Sequence, residues 1–308
     1  MAERDLIAYI RALAAQENFA WLRIGIGDDA AALDVPSGGQ ILVTTDSVVE
    51  GVHFAEGTEP ALVGRKAVAR SVSDIAAMAG RPLCSVAAVI IGPRYDEVAC
   101  WQLCGALWEA GRELAAPLVG GDVSSAPGAT SIAVTVLGTP GPRGAVTRGG
   151  AKAGDAVCVT GRLGGSIRGR HLSFRPRVME ALALAERFEV RAMIDISDGL
   201  STDALHIAEE SGVGVVLRAA DIPISDDAVM LARETGRTPL WHALNDGEDY
   251  ELLFCLGAAE AHEAAGAGAA GTGVTAIGEV VGGEQSCLVM PDGRRERLVA
   301  GGWEHLVR

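Results

Sequence analysis

The sequence predicts a two-domain α/β protein, and three observations carry that reading. Apolar runs of strand length alternate with longer segments whose apolar residues recur at helical spacing. The clearest linker, Gly138-Thr139-Pro140-Gly141-Pro142-Arg143-Gly144, falls near the middle of the chain. The length of 308 residues suggests about two domains at roughly 100–200 residues each. We place the division so that residues 1–142 form one domain and 143–308 the other.

Taken in order, Leu6, Ile7, Ile10, Leu13 and Ala14 follow the spacing of an amphipathic opening helix. Ile41–Asp46 reads as a strand. Residues 62–79 read as a helix that buries Ala67, Val68, Val72, Ile75 and Ala76, and Gly80 and Pro82 stop it. Cys84–Ile91 is a continuous apolar strand. Residues 96–115 form a second helix, with Val98, Trp101, Cys104, Leu107 and Trp108 on one face. Pro117–Gly120 leads as a short strand into Gly121-Asp122, and Ser131–Leu137 is a further strand. The second half opens with strand Ala156–Thr160, passes a Gly-rich basic stretch to Arg177, and continues in a helix near 176–187. A helix over about 201–211 carries Asp203 in its first turn and Gly212 at its end. Strands at 213–217, 250–256, 274–281 and 286–290 complete the pattern, with a helix and loop at 257–273.

Composition narrows the function. Lys and Arg number 26 against 40 Asp and Glu, a formal net charge of −14, which argues against nucleic acid as a direct partner because phosphate contacts need basic surface. Hydrophobic residues make up 49% of the chain, ample for a large core. No apolar run reaches the roughly 18 residues that span a bilayer, and Met1-Ala2-Glu3-Arg4-Asp5 carries no apolar signal core, so no membrane partner and a cytoplasmic location are expected. The six cysteines contain no Cys-x-x-Cys pair and read as reduced core thiols.

The chemistry is written in aspartates. Ile41–Val43 runs straight into Thr44-Thr45-Asp46, where a core strand would stay apolar, and burying an unpaired carboxylate is expensive. The same anomaly recurs in Gly25-Ile26-Gly27-Asp28-Asp29-Ala30, Ser73-Asp74, Gly120-Gly121-Asp122, Asp195-Ile196-Ser197-Asp198-Gly199 and Asp246-Gly247-Glu248-Asp249-Tyr250. Carboxylates gathered by a fold are the usual way to hold hard divalent cations, which points to a magnesium and nucleotide site. Singly, Asp28, Asp29 and Asp122 read equally well as turn residues, Asp195 and Asp198 as residues ahead of a helix cap, and Asp74, one turn after Arg70 and two after Lys66, as part of an ion pair on a solvated helix face. Competing motifs fail. Gly266–Gly271 matches Gly-x-Gly-x-x-Gly but follows a helix and precedes a strand, the reverse of a dinucleotide site. The Asp195 segment lacks the Gly and Glu of a calcium loop, and no Walker motif is present.

As an ordered set, Gly25–Ala30, Thr44–Phe54, Val72–Gly80, Gly120–Asp122, Thr147–Asp155, Asp195–Leu200 and Gly247–Leu252 closely resemble the thiamine-monophosphate kinase family, down to Gly302-Trp303-Glu304-His305. The resemblance implies the aminoimidazole-ribonucleotide-synthetase-like α/β fold, whose N-terminal domain pairs with its copy in a dimer β-barrel. It also implies the reaction of ATP with thiamine monophosphate to give ADP and thiamine diphosphate. On that resemblance, Asp29, Thr44, Thr45, Asp46, Asp74, Asp122, Asp195 and Asp198 hold several Mg2+ ions. Gly121, Asp122, Arg148 and Ser197 contact ATP, His53, Glu248 and Trp303 contact thiamine monophosphate, and Asp28 stands behind the metal ligands. Two stretches depart from the family pattern: Ser166 meets Arg170-His171-Leu172 almost at once, where a longer helical segment is usual, and Asn245-Asp246-Gly247 replaces a Ser/Thr-Gly-Gly type sequence.

No general base is obvious in these motifs, and none is needed if the substrate's own phosphate, mostly dianionic at neutral pH, is the nucleophile. The apolar strands of the first half point with the family resemblance to a homodimer. The competing readings are another ATP-dependent synthetase of the same superfamily and a non-catalytic cation- or nucleotide-binding protein.

Overall fold

A computed structural model describes residues 19–302 apart from Ser37 and Glu284, together with Ala8, Arg11 and Ala12. The apolar residues of the expected opening helix, Leu6, Ile7, Ile10, Leu13 and Ala14, and the expected substrate contact Trp303 lie outside the described residues.

The first half contains β1 (Leu22–Ile24), β2 (Ala31–Asp34), β3 (Gln40–Val49), α1 (Pro60–Ala77), β4 (Gly80–Ile91), α2 (Glu97–Glu113), β5 (Leu118–Ser125) and β6 (Ser131–Pro140). Its strands form one open sheet in the order β1-β2-β3-β6-β4-β5, antiparallel except where β4 runs beside β5. Pro60 at its first turn pre-sets helical φ for α1. The helix is buried along most of its length because it packs on β3, β6 and β4 on one side and against α2 on another. Gly64 permits the close crossing with α2: a Cβ there would stand 2.8 Å from the Leu103 carbonyl oxygen. Val68, Val72, Ile75, Leu103, Leu107, Ile132, Val134 and Val136 fill this core, which also takes in Phe174 and Tyr250 from the second half.

The other face of the sheet is uncovered among the described residues. Val86 and Ile90 of β4 and Thr45 of β3 are exposed, and β5 is exposed from Gly120 to Ser125. Gly121 and Asp122 belong to this edge strand itself, where the sequence suggested a short strand stopping at Gly120.

The second half contains β7 (Asp155–Thr160), α3 (Arg170–Ser173), α4 (Val178–Arg187), β8 (Ala192–Asp195), α5 (Leu200–Ser211), β9 (Gly214–Arg218), α6 (Asp226–Thr235), α7 (Pro239–Asn245), β10 (Leu252–Gly257), α8 (Ala258–Ala267), β11 (Val274–Val281), β12 (Cys287–Val289) and β13 (Arg295–Arg297). The strands order as β13-β12-β9-β11-β7-β10-β8, with only β12 beside β9 parallel. The strands β1, β2, β8 and β13 and the helices α6 and α7 were not expected from the sequence. The segment after Ser166, short beside the family pattern, is a single 3-10 turn, Ser166–Arg168, followed by the four residues of α3. No helix among the described residues is long and apolar enough to cross a membrane. All six cysteines are free, with Cys158 and Cys255 buried in two separate hydrophobic clusters.

Candidate active site

The site lies where α1 meets the second sheet. Alternation along β3 sends Leu42, Thr44, Asp46 and Val48 toward α1 and Thr45 and Ser47 to the open face. Asp74 projects from the last turns of α1, Asp29 from the loop before β2, and Asp195 from the end of β8. Oxygens of Asp29, Asp74 and Asp195 lie within 4.8 Å of one another. Asp29 and Asp195 are buried. Such proximity of like charges in a low-dielectric setting is unfavourable unless protons or cations intervene.

The surrounding groups compensate only in part. Arg148 grips Asp29 in a fork, Nε at 3.0 Å from Oδ2 and Nη2 at 2.8 Å from Oδ1, while its backbone N–H faces both oxygens of Asp28 at 3.3 Å. The Thr44 hydroxyl donates to Asp74, and the Ser73 hydroxyl donates to Asp195 across the junction of the two halves. Arg70 reaches Asp46 at 3.4 Å and the Ser47 carbonyl at 3.2 Å. Arg70 and Lys66 thus do not form a solvated helix face with Asp74, since Lys66 turns to Glu248. Burial, and then the charges of Asp46 and Asp195, push Asp74 well above the usual carboxylate range. Burial, and then Asp29, does the same to Asp195. Burial, with Asp29 adding, raises Asp28 to about 6. Burial also raises Asp46, opposed by Arg70.

A second acidic group adjoins the first. Asp198, Asp203 and His206 lie within the same 4.8 Å limit. Asp203, buried in the first turn of α5, accepts the backbone N–H groups of Asp198 and Gly199 at 3.2 and 3.0 Å and so fixes the loop that carries Ser197 and Asp198. Burial raises it to about 8 against the pull of Arg148.

The described residues expected to contact the substrate lie on two loops. His53 follows β3, and its Nδ1 accepts the Val49 N–H at 3.1 Å. Glu248 and Tyr250 occupy the loop before β10 with φ of 52° and 50°, a left-handed conformation that costs about 1–3 kcal/mol per non-glycine residue and persists only where its surroundings fix it. They are fixed by Glu248 N–H to Ser197 O (2.7 Å), by Tyr250 N–H to Ile196 O (2.8 Å), and by the Tyr250 ring stacked on Phe174. Between them Asp249 accepts from Gly164 N–H and Arg170. The Asn245-Asp246-Gly247 departure has a structural use. Asn245 accepts from Ser201, Asp246 from the Gly165 N–H, and the Gly247 carbonyl from Ser166, which lashes this loop to the short Gly161–Ser166 turn.

The expected residues are thus distributed as follows. Asp29, Thr44, Asp46, Asp74 and Asp195 converge, with Arg148 and Asp28 against them and Ser197 and Asp198 beside them. Thr45 turns to the open face and hydrogen-bonds Thr135. Gly121 and Asp122 are apart: the register aligns Asp46, Val134, Ala87 and Gly121 across four strands, so Gly121 lies about 14 Å from Asp46 at three strand spacings. Asp122, one residue on, faces the open side. Trp303 is not described, but Gly302 is laid against the site: a Cβ there would sit 1.9 Å from the Asp198 carbonyl oxygen. Sequence reading missed Lys66, Arg70, Ser73 and Asp203, whose types look ordinary on helices.

Residues 27–139 match the family described as AIR synthase related protein, N-terminal domain, and residues 134–290 match its C-terminal domain. The chain is 36% identical to a thiamine-monophosphate kinase of Rhodopirellula baltica, over 98% of this chain and 97% of that one. It is 32% identical to the enzyme of that name in Escherichia coli K12, over 92% of each chain. Among solved structures, AaThiL complexed with AMPPCP and TMP superposes with a TM-score of 0.84 at 29% identity, covering 99% of this chain and 97% of that one.

Carboxyls with raised native pKa hold protons better folded than unfolded, where Asp ionises near 3.9. Their contribution to stability is complete below that value and is lost as pH rises through about 6 for Asp28 and about 8 for Asp203. In chelator, the melting temperature should therefore fall between about pH 5 and pH 8, and millimolar magnesium at the upper end should restore it. Scanning fluorimetry across that range reads this out. A flat profile, indifferent to magnesium, contradicts the reading.

Proposed function

Since the chain belongs to the AIR synthase related family, among the thiamine-monophosphate kinases, we infer that it transfers a phosphoryl group from ATP to thiamine monophosphate, giving ADP and thiamine diphosphate. The observation that carries this is the convergence of Asp29, Asp74 and Asp195, with Thr44, Asp46 and Arg148, in a chain that matches named thiamine-monophosphate kinases along nearly its whole length.

The donors suit a hard cation: they are carboxylate and hydroxyl oxygens, crowded beyond what Arg70 and Arg148 neutralise. We assign several Mg2+ ions to Asp29, Thr44, Asp46, Asp74, Asp195 and Asp198. When bound they neutralise the meeting of two polyanions and orient in-line transfer. The protein's own part is positional. Arg148, held flat by Asp29, presents the rest of its guanidinium to nucleotide phosphates. Asp203 holds the Ser197–Asp198 loop in register with the cluster. His53 and Glu248 face the acceptor from opposite halves. No side chain is required as a base, because the acceptor phosphate is already ionised.

We further assign a homodimer, with the open face of the first sheet as its interface and a closed barrel as its form. Exposed Val86, Ile90 and the unpaired edge β5 are what such a contact would cover. In that arrangement a second copy would bring Gly121 and Asp122 to the nucleotide, which one copy alone leaves about 14 Å away.

Purified protein with ATP, magnesium and thiamine monophosphate should yield thiamine diphosphate by product chromatography, and unphosphorylated thiamine should react far more slowly. Faster turnover of thiamine would refute the assignment. Asp46→Asn should lower turnover on the order of 100-fold, the scale of losing one electrostatic stabiliser, while leaving the apo fold as stable or more so. Normal turnover in that variant would take Asp46 out of the site. Sedimentation velocity at micromolar concentration should show a dimer; a monomer would remove the interface.

A further inference from the structure

Lys66 is the largest wholly buried side chain of the molecule's described residues, at 0% exposure, yet it carries an ammonium. A buried charge is retained only with close partners. It has two. Its Nζ lies 2.7 Å from Glu248 Oε1 and 2.9 Å from Oε2, and it donates to the His53 carbonyl oxygen at 2.5 Å. These partners come from different halves: His53 from the loop after β3, Glu248 from the loop before β10. They are also the two described residues assigned above to thiamine monophosphate. Lys66 itself is enclosed and cannot touch a ligand.

We propose that Lys66 is a positioning residue, a buried clip that sets the separation of His53 and Glu248 and so shapes the acceptor pocket from both halves at once. The inference rests on the thiamine-monophosphate reading. The geometry argues for a clip over a mere core filler in three ways. The ammonium engages both oxygens of a carboxylate that is itself a quarter exposed. Glu248 holds a left-handed backbone that needs outside restraint. A methylene chain of this length, buried for packing alone, would be served by Met or Leu without an ammonium to desolvate. The separation is passive: no proton need move, and the ion pair need only hold its geometry.

The test compares Lys66→Met, Glu248→Gln and the double variant with the wild-type full chain, varying ATP and thiamine monophosphate separately, with melting temperatures recorded for each. Lys66→Met keeps the stem and removes the clip. It should raise KM for thiamine monophosphate about 10- to 100-fold while KM for ATP stays within about twofold, the signature of a displaced acceptor group. Glu248→Gln, which removes the charge but leaves an amide oxygen to accept from Lys66, should shift the same constant. The double variant should be no worse than the poorer single, because both substitutions break one clip. Unchanged KM for thiamine monophosphate in Lys66→Met, equal rises for both substrates, or log-additive effects in the double variant would overturn the proposal. If Lys66→Met does not fold, Glu248→Gln with both KM values unchanged overturns it on its own. Wild-type protein that fails to phosphorylate thiamine monophosphate would instead remove the reading on which the clip rests, so the two failures are distinct.

Discussion

Mutual repulsion among Asp29, Asp46, Asp74 and Asp195 is the constraint around which the molecule is arranged. Like charges as close as the oxygens of Asp29, Asp74 and Asp195, within 4.8 Å of one another, are tolerated only where something else holds them there. The holding is done by elements that are otherwise among the best packed: α1, buried between the first sheet and the second half, supplies Asp74, Ser73, Arg70 and Lys66 from successive turns. β3 supplies Thr44 and Asp46 from its buried side, and β8 ends on Asp195 in the middle of a second core. The site is thus an electrostatic defect sustained by two hydrophobic cores, one that the proposed cations would convert into a favourable centre.

This explains why so much of the site was legible. A carboxylate following Ile41–Val43, or inside Gly-Ile-Gly-Asp-Asp, contradicts its own local pattern, and such contradictions concentrate where function overrides stability. What was not legible falls into two kinds. Lys66, Arg70 and Ser73 are ordinary helix residues. Only the burial of α1 on several sides turns a pair of cations spaced like a solvated face into partners for β3, through Arg70, and for two loops, through Lys66. Gly121-Asp122 reads as a site motif, but its distance from Asp46 is set by strand order, with β6 and β4 interposed, and strand order is decided by long-range pairing that no local pattern encodes.

The fold divides similarly. Long apolar segments such as β4, α2 and β11 were readable within a few residues. The four residues of β8 are too short to show a period, and α6 and α7, of ten and seven residues and closed by the local caps Ser225 and Thr238, span too few turns for their apolar spacing to stand out. The exposed face of the first sheet was half legible: its apolar content was plain, but which strands lay beside which was not.

Arg148 lies just past the linker between the halves, and it is held at both ends, its main chain to Asp28 and its guanidinium to Asp29. The connection therefore behaves as a strut and not as a hinge. A swing of one half against the other would have to break the fork to Asp29, the Ser73–Asp195 bond and the Lys66–Glu248 pair together. Opening the two halves is thereby tied to dismantling the charged centre, so the molecule's large-scale mechanics and its local electrostatics form one degree of freedom: what loads the centre also locks the frame.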